Sequence, residues 1–269
     1  MNTIVSVITV GMNHYKYIEA LYASLYKMCP FGYQIEAIYV DNCSSDGSIE
    51  FLRNHYPQVK IIQNTEPLGF GENNNKGVMA SVGDIIAIVN PDIVLLDGCL
   101  DIMVDYVLHK GNNAVVAPQL LNPDGTVQFS VRSFMTLSMF FKRLLSKGND
   151  NNMSDKMIRY LCKDIDTEKI QPVDWAMGAA LFMKRDIYAR LGGFDQRYFL
   201  YMEDEDFCLR AWKTNIPVIY CPLSKMIHNH LRGSSKLGKK TLYHFRSMRT
   251  FFERHGFFVE GHKDKYTMS

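Results

Sequence analysis

Ile85-Ile86-Ala87-Ile88-Val89-Asn90-Pro91-Asp92 is the stretch on which the fold turns. Five consecutive apolar residues without polar alternation read as a strand buried on both faces, the pattern of a parallel sheet covered by helices. The strand is cut at once by Asn-Pro, a turn signal, and a carboxylate follows. Working outward, residues 4–10, 35–40 and 59–62 repeat the strand pattern. Between them Ile18, Leu21, Leu25 and Met28 recur at helical spacing. Ser45-Asp46-Gly47-Ser48 reads as a helix start ahead of Ile49 and Leu52, and residues 72–81 read as a helix ending near Gly83. Strands alternating with helices through short connections imply parallel strands with helices on both faces.

Such sheets place ligands beyond the carboxyl ends of their strands. Three polar loops follow strands here: Gly11, Asn13 and His14; Asp41 and Asn42; Asn90 and Asp92. Asp41 is suited to accept a hydrogen bond from a nucleobase or ribose, or, with Asp46, to cap the next helix. Gly69-Phe70-Gly71 before Asn73-Asn74-Asn75 would let backbone approach a phosphate or ribose. It lacks the third glycine of a dinucleotide fingerprint and is not a P-loop, so simple loop punctuation is the other reading. Asp92 is placed to hold a hard divalent cation with few protein ligands, the remainder coming from phosphate oxygens and water.

The second half is less regular. Residues 179–183 read as a strand, 205–212 as a helix with Asp206 and Arg210 at supportive spacing, 218–220 as a last short strand and 241–252 as an amphipathic helix. Residues 135–170, with a loop at 148–152, read as a variable excursion over the site. Glu203-Asp204-Glu205-Asp206 puts four acids at a helix start. Acids stabilise helix N-termini, yet crowded carboxylates also raise one another's pKa, which suits a general base. His228-Asn229-His230 offers an imidazole for a metal, although the spacing is not that of a zinc site.

The chain of 269 residues is 47% hydrophobic and 22% charged, enough for a sizeable core. No apolar run approaches the roughly 18–20 residues of a bilayer span, and residues 4–10 lack the flanks of a signal peptide, so the expected location is the cytoplasm. Cys29, Cys43, Cys99, Cys162, Cys208 and Cys221 are scattered and form no CxxC pair, which argues for reduced thiols. Between Lys225 and His255 eight Lys or Arg face one acid, Glu253, so the rest of the chain is net acidic. Phe245, Phe251, Phe252, Phe257 and Phe258 interleave with Arg246, Arg249 and Arg254. That tail suits either peripheral contact with an anionic membrane or packing on the domain or on a second subunit, as in a homodimer.

Taken in order, these blocks resemble family 2 glycosyltransferases, especially bacterial rhamnosyltransferases. The resemblance spans residues 4–235. It rests on Val40-Asp41-Asn42-Cys43-Ser44-Ser45-Asp46-Gly47-Ser48, Leu68-Gly69-Phe70 with Asn74-Asn75-Lys76-Gly77, and Asn90-Pro91-Asp92. It continues through Trp175-Ala176-Met177-Gly178-Ala179, Gly192-Gly193-Phe194-Asp195, Glu203 to Arg210, His228-Asn229-His230 and Ser234-Ser235. The fold it implies is α/β of GT-A type: a Rossmann-like, mixed, mostly parallel central sheet flanked by helices. It implies Asp41 on the nucleotide base, with Thr9, Asn13, Asn42, Gly69, Asn74 and Asn90 completing the donor site. It further implies Asp92 and His228 on Mg²⁺ or Mn²⁺, Asp204 as catalytic base, and Trp175, Gly178 and Glu203 around the acceptor and sugar. Asn90 departs from the family by replacing the first Asp of D-x-D, which removes a charge from the metal site.

The implied activity is inverting transfer of a sugar, rhamnose favoured, from a nucleotide-diphosphate donor to a glycan or polyprenyl-diphosphate-linked acceptor in surface-polysaccharide synthesis. Residues 1–235 would form the transferase domain, 1–118 holding the donor and 119–235 the acceptor and base, with 236–269 a basic helical tail. A nucleotide-sugar sensor or inactive homologue is the non-enzymatic alternative. A nucleotidyltransferase lacks its basic phosphate loop here, and the acidic remainder of the chain disfavours nucleic acid.

Overall fold

The computed structural model describes residues 3–28, 32–111, 113–145, 154–229, 239–262 and 266. Cys29, residues 148–152, His230, Arg232, Ser234, Ser235 and Lys236 lie outside the described residues.

The elements run β1 (Thr3–Gly11), α1 (Tyr15–Lys27), β2 (Tyr33–Asp41), α2 (Ser48–His55), β3 (Lys60–Gln63), α3 (Phe70–Met79), β4 (Ile85–Val89), β5 (Ile93–Leu95) and α4 (Cys99–Asp105), which runs on as a π-helical turn to Lys110. Then come β6 (Val115–Leu121), β7 (Val127–Gln128), β8 (Val131–Arg132), α5 (Leu137–Leu145), α6 (Asp155–Tyr160), β9 (Gln171–Pro172), β10 (Trp175–Ala176), β11 (Ala180–Lys184), α7 (Arg185–Arg190), α8 (Glu203–Lys213), β12 (Val218–His228) and α9 (Lys239–His255). The main sheet has the order β3-β2-β1-β4-β11-β6-β12-β5. β1 pairs in parallel with β2 and β4, and β2 with β3. Past β4 the sheet turns mixed, because β11 enters antiparallel between β4 and β6 and β5 closes the edge antiparallel to β12.

The apolar runs are explained by burial on both faces. Along β4, Ile86 and Ile88 join one core, while Ile85, Ala87 and Val89 join the other. α1 covers the second face with Ile18, Leu21, Tyr22 and Leu25, whereas α8 and α9 cover the first with Phe207, Leu209, Met248, Phe251 and Phe252. Phe251 and Phe252 therefore face the core rather than a membrane, while Phe245, Phe257 and Phe258 stay exposed.

One expectation needs correction. The last strand is not three residues but the eleven of β12, and His228 is its final residue rather than part of a following loop. A register shift between Cys221 and Lys225 absorbs Pro222 in a bulge. Proline cannot donate to a ladder, and a bulge is where a strand tolerates it.

Candidate functional site

The carboxyl ends of β1, β2 and β4 gather as expected, with Gly11 and Asp41 in register. Asp41 is buried and its Oδ2 accepts from Ser44 N–H at 3.1 Å. Its Oδ1 has no hydrogen-bond partner among the described residues. A buried carboxylate oxygen left in this state costs stability and awaits a donor such as a nucleoside N–H or O–H. Asn74 Oδ1 is in the same condition, while its Nδ2 donates back to Phe70 C=O at 2.9 Å.

Asn42, Asn13 and Gly69, also expected to touch a donor, are engaged within the protein, whereas Thr9 Oγ1 is buried with no hydrogen-bond partner among the described residues. Asn42 Oδ1 accepts from Leu68 N–H at 2.8 Å and its Nδ2 donates to Leu68 C=O at 3.0 Å, so it pins the loop ahead of α3. Asn13, at φ 57°, accepts from Ser45 N–H at 2.8 Å and ties the β1 and β2 loops together. Thr9 is fully buried beside the Tyr22 phenol, on the α1 side of the sheet. Gly69 is explained by packing: a Cβ there would lie 2.9 Å from Phe199 C=O, whose oxygen accepts from Phe70 N–H at 2.9 Å. Asp46 caps α2 by accepting from Ser48 N–H, and also accepts from Tyr15 N–H at 2.8 Å.

The carboxylate and imidazole expected to bind metal do meet. β12 ends against β5, His228 opposite Ile93, which brings its Nε2 to 3.4 Å from Asp92 Oδ1. His228 Nδ1–H donates to Gln128 Oε1 at 2.6 Å, which fixes the ring and turns Nε2 toward Asp92. Burial pushes the Asp92 carboxyl up, but hydrogen bonding and charge from His228 outweigh it and leave the pKa below the usual value. An ionised oxygen and an imidazole nitrogen directed at one space fit Mn²⁺ or Mg²⁺ completed by water and diphosphate. Among the described residues no cluster of three or more His, Cys, Asp or Glu that could hold a metal ion occurs. Gln128 carried no sequence signal; only the fold brings it to His228.

The four acids of α8 separate into different roles, because successive helical residues point about 100° apart. Asp206 is buried in an ion cluster with Arg210 at 2.7 Å, Arg254 at 3.0 Å and His255 at 2.7 Å. Glu205 is buried and accepts from Met135 N–H. Glu203 is buried with its Oε2 unpartnered among the described residues, and burial, then the neighbouring Asp204 charge, pushes its carboxyl well above the usual range. Asp204 alone of the four keeps partial exposure together with a raised pKa, caused first by desolvation. Its Oδ2 accepts from Gly178 N–H at 3.0 Å and its Oδ1 from Glu205 N–H at 2.9 Å. Tyr201 and Met202, which enter this helix, both hold positive φ, 70° and 68°. Strain of that kind at non-glycine residues gathers at functional sites.

Gly178 is the junction of the site. A Cβ there would lie 3.3 Å from the Phe70 ring and 3.4 Å from Asp204 Cβ. The next residue, Ala179, accepts from Asn90 N–H at 2.9 Å, tethering the turn that carries Asp92 to the segment that holds Asp204. Trp175 Nε1 donates to Ser133 C=O at 2.9 Å, closing the far side. The arrangement sets out a buried carboxylate oxygen of Asp41 without a partner among the described residues, a carboxylate–imidazole pair and a partly exposed carboxylate of raised pKa.

The sequence profile of glycosyl transferase family 2 matches residues 6–164. An N-acetylglucosaminyl-diphospho-decaprenol L-rhamnosyltransferase of Mycobacterium tuberculosis is 26% identical over 234 residues, covering 82% of this chain and 76% of that protein. Rhamnosyltransferase WbbL of Escherichia coli is 30% identical over 196 residues, covering 69% and 70%. The structure of GalNAc-T7 with UDP, GalNAc and Mn²⁺ superposes with a TM-score of 0.70 at 14% identity, over 93% of this chain and 48% of that one. The last likeness establishes the GT-A fold. The profile, spanning more than half of the chain and running from β1 past the Asp92 turn, accounts for the loops just described: this chain belongs to glycosyltransferase family 2.

Proposed function

We propose that this family 2 glycosyltransferase moves a sugar, rhamnose first among candidates, from a nucleotide-diphosphate donor to a glycan or polyprenyl-diphosphate-linked acceptor, with inversion at the sugar carbon. The observation that carries the reading is Asp204: a partly exposed carboxylate of raised pKa, gripped by Gly178 N–H and tethered through Ala179 to the Asp92 turn. Rhamnose is favoured because two relatives are rhamnosyltransferases, one of them named for a diphospho-decaprenol acceptor.

Asp204 takes the proton of an acceptor hydroxyl while that oxygen attacks the anomeric carbon. The bond to the diphosphate breaks in line, its electron pair leaving with the phosphate, through an oxocarbenium-like transition state as in glycoside chemistry. One displacement inverts the centre and needs no protein nucleophile. Asp41 Oδ1 and Asn74 Oδ1 accept hydrogen bonds from the donor nucleoside. Asp92 and His228 would hold Mg²⁺ or Mn²⁺, which when bound supplies Lewis-acid stabilisation of the leaving diphosphate. Residues 1–118 serve the donor and 119–235 the acceptor and base.

The test is a thermal-shift and hydrolysis panel of nucleotide sugars, each with and without Mn²⁺ or Mg²⁺. A donor that stabilises the protein and is hydrolysed only with metal supports the assignment and names the substrate. Stabilisation without turnover moves the chain to a sensor or inactive homologue.

The tail supplies a second proposal, of place: peripheral contact at the cytoplasmic face of an anionic membrane. Leu242, Phe245, Arg246 and Arg249 are exposed on one side of α9, and Phe258 is 93% exposed beyond it. Among the described residues no helix is long and apolar enough to cross a membrane. Liposomes carrying anionic lipid should float the protein at low salt, and Phe245→Ser with Arg246→Ser should release it. Wild-type protein left at the bottom of the gradient would remove this placement.

A further inference from the structure

Gln128 reaches His228 from a hairpin that the mechanism above leaves unused. At its carboxyl end β6 lies between β12 and β7, with Leu121 opposite Ile227 and Leu120 opposite Gln128. The β6–β7 turn is closed by Asn122 N–H on Thr126 C=O at 2.8 Å and by Gly125 N–H on Asn122 C=O at 2.9 Å. Within this frame a chain of side-chain hydrogen bonds runs from the turn to the imidazole. Thr126 Oγ1–H donates to Asp124 Oδ1 at 2.6 Å. Thr126 Oγ1 accepts from Asn122 Nδ2 at 2.9 Å, Asn122 Oδ1 accepts from Gln128 Nε2 at 3.1 Å, and Gln128 Oε1 faces His228 Nδ1 at 2.6 Å.

Every link has a direction, and the directions are set from the outer end. An ionised carboxylate only accepts, and the Thr126 hydroxyl and N–H hold the Asp124 carboxyl below its usual pKa. A hydroxyl has a single proton, so the one given to Asp124 leaves Thr126 Oγ1 as an acceptor toward Asn122. Asn122 then turns its NH₂ to Thr126 and its C=O to Gln128. Gln128 in turn gives its NH₂ to Asn122 and its C=O to His228. An imidazole that meets a carbonyl at Nδ1 carries its proton there, and Nε2 keeps the lone pair. We propose that Asn122 and Gln128 are positioning residues, a relay of fixed polarity anchored by Thr126 on Asp124. The relay holds the His228 ring proton on Nδ1 and so aims the Nε2 lone pair at Asp92.

The opposite polarity would close the site. Gln128 would then offer its NH₂ to Nδ1, and the ring proton would move to Nε2, which lies 3.4 Å from Asp92 Oδ1. Carboxylate and imidazole would satisfy each other and shut a cation out. That reversal takes the Thr126 hydroxyl away from Asp124 to serve Asn122 Oδ1, at the loss of a charge-assisted bond. In the observed direction Nε2 and Asp92 Oδ1 are two acceptors facing each other beside a buried ring, an arrangement that a cation between them relieves. This role rests on Asp92 and His228 being the metal pair of the proposed function.

The first readout needs neither donor nor metal. In nitrogen-15 NMR of the metal-free protein the neutral His228 ring should carry its proton on Nδ1. Gln128→Met removes the acceptor; the proton should move to Nε2, and Mn²⁺ affinity measured by calorimetry should fall about 10–100-fold. Asn122 separates a relay from a lone contact. Asn122→Asp still accepts from Gln128 Nε2 and should keep both the ring proton and the Mn²⁺ affinity. Asn122→Leu leaves the Gln128 amide free to turn and should move both in the direction of Gln128→Met. A wild-type ring protonated on Nε2, a ring proton or Mn²⁺ affinity left unmoved by Gln128→Met, or Asn122→Leu and Asn122→Asp behaving alike would each overturn the proposal. The expected ring protons in a protein that takes up no Mn²⁺ or transfers no sugar would count against the proposed function and leave the relay standing.

Discussion

Asp204 differs from its three acidic neighbours only in what the fold sets against each side chain. Its two oxygens accept from Gly178 N–H and Glu205 N–H, and enough of it stays exposed to meet an acceptor. Asp204→Asn keeps the shape, can still accept from Gly178 N–H through its carbonyl oxygen, and removes the basicity. Transfer should therefore fall by about 10²–10⁴-fold with donor binding and melting temperature near wild type. Near-normal turnover in a folded Asp204→Asn protein would remove Asp204 from the mechanism. None of this division is visible in the sequence: four adjacent acids look alike until something packs on each. Asp41 and Asp92 were legible because a polar residue straight after a buried strand has few places to be but the sheet edge. Asn42 and Gly69 were legible as special, but their partners, Leu68 and the Phe199 backbone, lie 26 and many more residues away and come together only in the fold.

At the scale of elements, β4 could be read to the residue because a strand buried on both faces is an uninterrupted apolar run, while β3, an edge strand with Lys60 and Gln63 exposed, was legible one residue out of place. β12 could not be so read, since Pro222 and the buried Ser224 break its run, and the pairing with β6 stops at Cys221 and resumes at Lys225 beyond the bulge. The C-terminal helix was legible as amphipathic, but not what it packs on. α9 is docked by Phe251 and Phe252 and locked to α8 by Arg254 and His255 on Asp206. Tyr198 O–H also donates to Asp206, at 3.3 Å, so this one fully buried carboxylate joins α8, α9 and the loop before α8. Asp206→Ala would leave the half-buried Arg210 without its carboxylate and Arg254 with Asp195 alone. Breaking a buried pair from one side costs about 3–5 kcal/mol, and urea denaturation should show a loss of that size. A loss below about 1 kcal/mol would mean that the cluster is solvated and that α9 is held by its phenylalanines alone.

For the molecule as a whole, two populations of carboxylates pull stability in opposite directions with pH. Asp46, Asp92, Asp195 and Asp206 all sit below their usual values, Asp195 down to about 2, held there by cations and hydrogen bonds against the cost of burial. A depressed carboxylate binds fewer protons folded than unfolded; the stability it contributes is present above about pH 4 and disappears as pH falls below it. Glu203 and Glu205 sit well above theirs because of burial. A raised carboxylate binds more protons folded than unfolded, so it is at its least costly below about pH 4 and costs stability as pH climbs from there toward its folded pKa. Between these windows the two groups act one after the other. The melting temperature should rise as pH is lowered from the alkaline side into the mildly acidic range, then fall steeply below about pH 4 as the Asp206 and Asp195 clusters lose their charge. Asp204, also raised, shares this falling limb, but Glu203 and Glu205 can be removed from it without touching the base. Glu203→Gln with Glu205→Gln should flatten it, each full proton of linkage removed accounting for about 1.4 kcal/mol per pH unit, while leaving the acid collapse in place. Calorimetric melts of the two proteins across the pH range decide the matter. Parallel alkaline limbs would show that water or a neighbouring proton already relieves Glu203 and Glu205, and that the crowding on α8 is borne by Asp204 alone.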